Sequence, residues 1–309
     1  MKVISKTENS DLATVYIAAN PEGKLVEFVE SVTPPFSLSE KWVLIVSTLF
    51  GCPVDCNFCD AGGDYRGRLT AEEILFQIDY PIMLRFPDGL IGTKRCKVQF
   101  SRMGEPSFNP DVLEVLEKLP GRYSWNEFTP SLSTIAPVGT DKFFHRLLDI
   151  KKALYPGTFQ LQFSLHSTSP EQRNRLIPAR KWDFGRIAAY GEQFYRPGGK
   201  KITLNFAVST DTIIDPASLL VHFSPEVFII KLTPVNPTCK AQKNNIETLI
   251  RDKNREYPII EHLEAFGYTT ILSVGEWEEN RIGSNCGQYV QTYLKSCEKL
   301  PDAYSYNLK

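Results

Sequence analysis

Three cysteines fall within eight residues in the run Gly51-Cys52-Pro-Val-Asp-Cys56-Asn-Phe-Cys59, a C-x3-C-x2-C spacing. No other feature constrains the fold as strongly. Thiols this close, in a long chain with no secretory signal, are poor material for a disulfide framework and good material for a metal centre. Two centres come into question. A structural zinc site prefers paired C-x2-C units with a fourth Cys or His ligand. No second pair exists, because Cys96, Cys239, Cys286 and Cys297 stand alone in the sequence. A four-iron cluster is normally held by four thiolates, so three leave one iron open to a ligand. The spacing favours the cluster. The fold must therefore present one loop at the edge of a cavity, and the β-prone run Val43–Thr48 leads straight into it.

The rest of the chain alternates. Ala13–Ile17 and Leu25–Val29, joined by Asn20-Pro-Glu-Gly23, read as a hairpin. Strands are expected at Lys97–Ser101, Thr129–Thr134, Gln160–Leu165, Lys201–Val208, Val227–Leu232 and Thr269–Val274. Between them lie helices at Leu69–Ile78 (capped by Thr70), Pro110–Lys118 (capped by Asn109), Asp141–Lys152, about Trp182–Tyr195, Pro216–His222 and about Asn245–Phe266. Repeated strand–helix units imply a parallel sheet with right-handed crossovers. Their number suggests an α/β fold, a partial (β/α)6 TIM-like barrel. Residues 1–40 read as an N-terminal β extension, 41–275 as the barrel, and 276–309 as a C-terminal segment carrying Cys286.

At 309 residues and 42% hydrophobic content the chain can bury a large core. No apolar run approaches the ~20 residues of a membrane span, and a cytoplasmic location is expected, with no membrane partner. The net charge of −1 lacks the basic excess of a dedicated nucleic-acid binder.

A second motif, Gly104-Glu105-Pro106, follows the strand Lys97–Ser101. At the C-terminal end of a barrel strand, where active sites of such barrels sit, a carboxylate can accept a ligand ammonium through a charge-assisted hydrogen bond.

Together with Cys52–Cys59 and Gly104-Glu105-Pro106, four further stretches occur in order: Ser131-Leu-Ser-Thr134, Ser164-Leu165-His166, Pro234-Val-Asn236-Pro237 and Asn285-Cys286-Gly287-Gln288. This series resembles the RlmN/Cfr family of radical S-adenosylmethionine (SAM) methyltransferases over about residues 25–290. The resemblance implies a [4Fe–4S] cluster on Cys52, Cys56 and Cys59, and S-adenosyl-L-methionine on its open iron. Reductive cleavage of SAM then gives a 5′-deoxyadenosyl radical. Gly104 and Glu105 would hold the methionine ammonium, and Ser133 would offer a hydroxyl. Ser164, Leu165 and His166 would meet the nucleoside, and Asn236 the adenine end. Cys286 would be methylated by one SAM and carry the methyl to an aromatic or nucleobase-like carbon. Glu27, in Val-Glu-Phe-Val, resembles the family's proton acceptor. An electron donor such as a flavodoxin or ferredoxin is implied, with RNA or a small molecule as substrate. The alternative is a radical-SAM enzyme that uses the adenosyl radical directly on a small molecule or peptide.

The sequence departs from the family in two places. The family's second catalytic cysteine, which resolves the crosslink to substrate, lies seven residues before the first cluster cysteine; that position here is Ile45. Only about fifty residues precede the cluster, where RlmN has an added domain for RNA contacts. Arg173, Arg175, Arg180 and Lys181 form a basic group after His166 that could meet a phosphate or carboxylate, or simply face solvent.

Overall fold

The computed structural model describes residues 1–32, 34–275, 277–280, 282–284 and 287–294. Strands β1 (Lys2–Asn9), β2 (Ala13–Ala19) and β3 (Leu25–Ser31) are antiparallel, and β3 pairs antiparallel with β4 (Lys41–Val46). A separate ribbon of β5 (Leu49–Cys52) and β6 (Gly63–Arg68) brackets the cysteine loop. From β4 the main sheet continues through β7 (Arg95–Phe100), β8 (Glu127–Thr134), β9 (Gln160–Ser164), β10 (Ile202–Val208), β11 (Phe228–Pro234) and β12 (Thr270–Leu272), all parallel. The extension therefore shares one ten-stranded sheet with the barrel strands.

The helices are α1 (Ala71–Arg85), α2 (Asp111–Arg122), α3 (Asp141–Leu154), α4 (Pro170–Leu176), α5 (Phe184–Phe194), α6 (Pro216–His222), α7 (Cys239–Lys243), α8 (Pro258–Ala265) and α9 (Gln288–Tyr293). Their starts follow from local chemistry. Thr70 and Glu73 form a reciprocal capping box at α1, satisfying two backbone donors that a helix end leaves open. Asn109 accepts from the backbone N–H of Asp111 at 3.1 Å, and its amide also donates to the carbonyls of Thr48 and Leu69. Pro110 is the N-cap of α2, so Asn109 sits one residue before the cap expected of it; it braces the turn into the helix and fixes the strand end that leads to the cysteines.

Side chains alternate across each parallel strand. One face is apolar: Val98, Phe100, Leu132, Phe163, Leu204 and Leu232 are buried under the helices. The other face, lining the bore, carries Lys97, Gln99, Ser131, Gln162, Asn205 and Lys231. Closed barrels usually fill the bore with branched apolar side chains. Here the core lies between sheet and helices, and the bore is left polar.

The extension is tied to the barrel by Glu30. Its buried carboxylate accepts from Tyr16 at 2.6 Å and from the indole of Trp42 at 3.2 Å, and pairs with Arg85 of α1.

One expected element is absent. The helix from about Asn245 to Phe266 is replaced by turns and by α8, which begins only at Pro258. Proline suits a helix start and disfavours helix in the residue before it. Tyr257 is accordingly extended, at φ −120° and ψ 116°. Its hydroxyl accepts from the backbone N–H of Arg251 and of Asp252, so it organises the turn that took the helix's place. The sequence reading also passed over β1 and α4, although Ser169-Pro170 is a cap followed by proline at the first helical position.

Candidate functional site

The cysteine loop leaves β5 through Gly51. Its φ is +73°, and a Cβ there would lie 2.2 Å from the carbonyl oxygen of Asp64, so only glycine fits. Two segments brace the loop from outside. Asn57 donates two hydrogen bonds at the end of α4: its N–H donates to the carbonyl of Leu176 and its amide to that of Arg175. Thr238, the N-cap of α7, donates to the carbonyl of Phe58 at 2.8 Å. Asp60 accepts the backbone N–H groups of Cys239 and Lys240, both at 2.9 Å.

Cys52, Cys56 and Cys59 all line one cavity of about 430 Å³. Burial first, then neighbouring thiolate charge, pushes the Cys52 thiol up to about 12, and Cys56 is pushed up for the same reasons. Thiols raised in this way become thiolates only when a bound cation compensates them. Among the described residues no three Cys, His, Asp or Glu side chains converge to hold a single ion. A cluster spreads its thiolates over separate irons, so the donor set fits a cluster better than zinc.

The other cavity walls come from strand ends. Gly104 has φ +98°, and a Cβ would meet Leu49 at 2.5 Å, so the chain turns tightly into Glu105. The Glu105 carboxylate is buried. Oε1 accepts from the Ser107 N–H and hydroxyl and from the Thr134 hydroxyl, and Oε2 from the Ile135 N–H at 2.9 Å. Burial drives its pKa up while these four donors oppose it. With up to about two acceptor sites per carboxylate oxygen, Oε2 keeps one for a ligand.

Ser133, Ser164, His166 and Asn236 line the same cavity as Glu105 and the three cysteines. His166 sits at φ +60°, and its Nδ1 accepts the N–H of Ala207 at 2.9 Å. Burial holds its pKa down to about 3, so the ring is neutral with Nε2 as the donor. Its edge meets the Phe58 ring, with centroids 4.9 Å apart. Leu165 is placed elsewhere: its side chain is fully buried in the core between sheet and helices.

Glu27 also lies outside the cavity wall. It is completely buried and pairs with Arg102 at 2.6 Å. Its two oxygens accept the N–H groups of Gly287 at 2.6 Å and Val290 at 2.9 Å. Arg102 in turn donates to the carbonyls of Gly283 and Ser284. Burial works to raise the Glu27 carboxyl, and Arg102 and the two amides work to lower it. The pair grips the chain on both sides of residues 285 and 286. Cys286 itself lies outside the described residues. Gly287 is held directly against the cysteine loop, where a Cβ would lie 2.4 Å from the Ala61 nitrogen.

Ile45 packs beside Cys52 and Cys59 against the apolar cluster that includes Met103, Tyr289 and Val290. Cys96 is buried in the outer core, its thiol pushed up to about 12 by burial. Cys239 opens α7 beside the cluster loop and is disulfide-bonded. The basic group after His166 is mostly spent on structure. Arg173 donates to the Trp182 carbonyl, Arg175 pairs with Asp211, and Lys181 donates to Asn174 and to the Ile177 carbonyl. The sequence reading missed Arg102, Thr238 and Asp60. Of these, only Thr238 carried a local signal, a capping residue just after Pro237.

No protein-family model matches the chain. It is 30% identical to a probable dual-specificity RNA methyltransferase RlmN of Thermosynechococcus vestitus over 279 residues, covering 87% of this chain and 74% of that one. It is 33% identical to the corresponding RlmN of Porphyromonas gingivalis over 286 residues, covering 88% and 72%. The match to the RlmN of Phocaeicola vulgatus, at 35% identity, spans 50% of this chain and only 40% of the relative's length. Among solved structures, a radical SAM methyltransferase from Sphaerobacter thermophilus superposes with a TM-score of 0.69 at 20% identity, covering 93% of this chain and 80% of that one. That likeness bears on the fold, a mixed α/β radical-SAM barrel.

Proposed function

The chain belongs to the RlmN family of radical-SAM enzymes, which use a [4Fe–4S] cluster and S-adenosylmethionine, and on that premise we propose that it methylates an aromatic or nucleobase-like carbon through Cys286. The observation that carries this reading is a juxtaposition. Gly287 is packed on the loop of the three cluster cysteines, and the same cavity holds Glu105, Ser133 and Asn236.

When bound, the cluster and SAM supply the 5′-deoxyadenosyl radical. The protein's own groups bind and orient. Cys52, Cys56 and Cys59 would hold the cluster. Glu105 takes the methionine ammonium on Oε2, since its other acceptor sites are used by the fold. Ser133 and Ser164 offer hydroxyls, and neutral His166 offers Nε2–H. Asn236 meets the adenine end. Glu27 serves here as a positioning residue, because its oxygens are given to Arg102 and to the backbone that flanks Cys286. A low-potential flavodoxin or ferredoxin delivers the electron. RNA and a small molecule both stand as candidate substrates, RNA because the relatives are named RNA methyltransferases.

The test is direct. The cluster is reconstituted anaerobically, SAM is added, and the Cys286 peptide is weighed by mass spectrometry. A methyl adduct is expected. Its persistent absence while 5′-deoxyadenosine is still produced overturns the carrier role.

A further inference from the structure

Beneath the cluster and the SAM-facing residues, the bore of the barrel carries cations without counter-ions. Lys231 on β11 lines the cavity, level with Asn205 on β10. Lys97 on β7 points to the same side as Gln99, one inward position above it, which also lines the cavity. Both lysines are half-buried, and among the described residues neither ammonium makes a hydrogen bond or ion pair. Two carboxylates line the cavity, and neither reaches them. Glu105 is held by Ser107, Thr134 and Ile135, while Glu279 lies by Gly275 and Ser284 at the β12 end.

An ammonium withdrawn from bulk water without a partner is costly, and two that repel each other are costlier. The strain is visible at Lys97. Burial, then Lys231, Lys41 and Lys200, holds its pKa down to about 7. The charged neighbours acting on it are all cations. Of the remaining inward positions, Gln99 and Gln162 each give one amide N–H to a serine, Ser101 and Ser131, which leaves one apiece, and Asn205 also lines the cavity. An arrangement of N–H donors and unmatched positive charge at the bottom of a cavity is complementary to an oxyanion.

We propose that the bore is the substrate's anion pocket: the target is a small molecule whose carboxylate or phosphate descends between Lys231 and Lys97 while its aromatic part stays at the mouth. The geometry sets a size. Lys231 lies three residues below Pro234, roughly 10 Å at about 3.3 Å per residue. That span suits a free mononucleotide or a heteroaromatic acid. The proposal rests on the reading of the mouth as the reaction site, and it names what that site acts on.

The test reads binding, so it stands apart from turnover. Reconstituted, SAM-loaded holoenzyme is titrated calorimetrically with inorganic phosphate and, separately, with acetate. One anion per chain is expected, and whichever probe binds tighter identifies the source. Lys231→Met and Lys97→Met should each weaken it tenfold or more. Lys231→Arg should retain most of it, and Lys152→Met, on the exposed end of α3, should leave it unchanged. Equal loss in Lys152→Met, or no saturable binding at all, overturns the proposal. So does a Lys231→Met variant that weakens SAM and not the anion, since Lys231 would then serve the SAM carboxylate. If phosphate binds through Lys231 while Cys286 is never methylated, the carrier mechanism fails and the anion pocket remains.

Discussion

The two faces of the parallel strands have opposite characters. Phe163 and Leu204, turned outward, are fully buried in a continuous apolar layer under the helices. Gln162 and Asn205, their immediate neighbours in the chain, turn inward among serines, amides and unpaired lysines. The difference separates stability from chemistry. The outer face supplies the hydrophobic free energy of folding. The inner face is released from packing and can hold a ligand, at some cost in stability.

The sharpest way to break this division is truncation on each face. Phe163→Ala should cost about 3–5 kcal/mol, the usual loss for a buried aromatic, read from the midpoint of denaturant unfolding. Asn205→Ala should cost far less; equal losses would mean the bore is a packed core after all. Arg102→Met tests the other buried charge. It strands Glu27 without its cation, and breaking such a pair costs about 3 kcal/mol. It should also lower the methylation of Cys286 more than it lowers 5′-deoxyadenosine formation, because the flanking backbone loses its clamp.

Lys97→Met should act in the opposite direction. The folded-state pKa of Lys97, about 7, lies below the ~10.4 of an unfolded lysine. Between these values the unfolded chain holds the proton and the folded chain does not, so stability rises with pH across that window. Below pH 7 the full penalty applies. In phosphate-free buffer, Lys97→Met should be more stable than wild type near pH 6, and it should lose the rise toward pH 10. A variant less stable than wild type at pH 6 would show that the ammonium is already satisfied. The smallest effect is expected at the rim of the outer layer, where Thr70→Ala removes the α1 capping box at about 1 kcal/mol.

Much of this was legible in the sequence because it is local. Lys97-Val-Gln99-Phe-Ser101 already displays the alternation that makes one face polar. The spacing of Cys52, Cys56 and Cys59 already encodes a cluster loop, and Thr70 already marks the start of α1. Asn245–Phe266 misled because its charged, helix-prone stretch conceals Pro258, and Tyr257 found hydrogen bonds in a turn instead. Arg102 and Glu27 were harder. Their contacts join residues 181 and 260 positions apart, and no local pattern reports such a distance. Leu165 shows the converse limit. Its neighbours Ser164 and His166 reach the cavity, and alternation alone sends Leu165 into the core.

The Glu27 clamp also has a place in time. Chains emerge at about 5–20 residues per second, so the cysteine loop is exposed on the order of ten seconds or more before Gly287 is made. During that interval Glu27 and Arg102 are present and the backbone they will grip is not. Synthesis order alone thus leaves the cysteine loop without its Gly287 contact throughout that interval. The Gly287 segment can be fastened against the loop only afterwards.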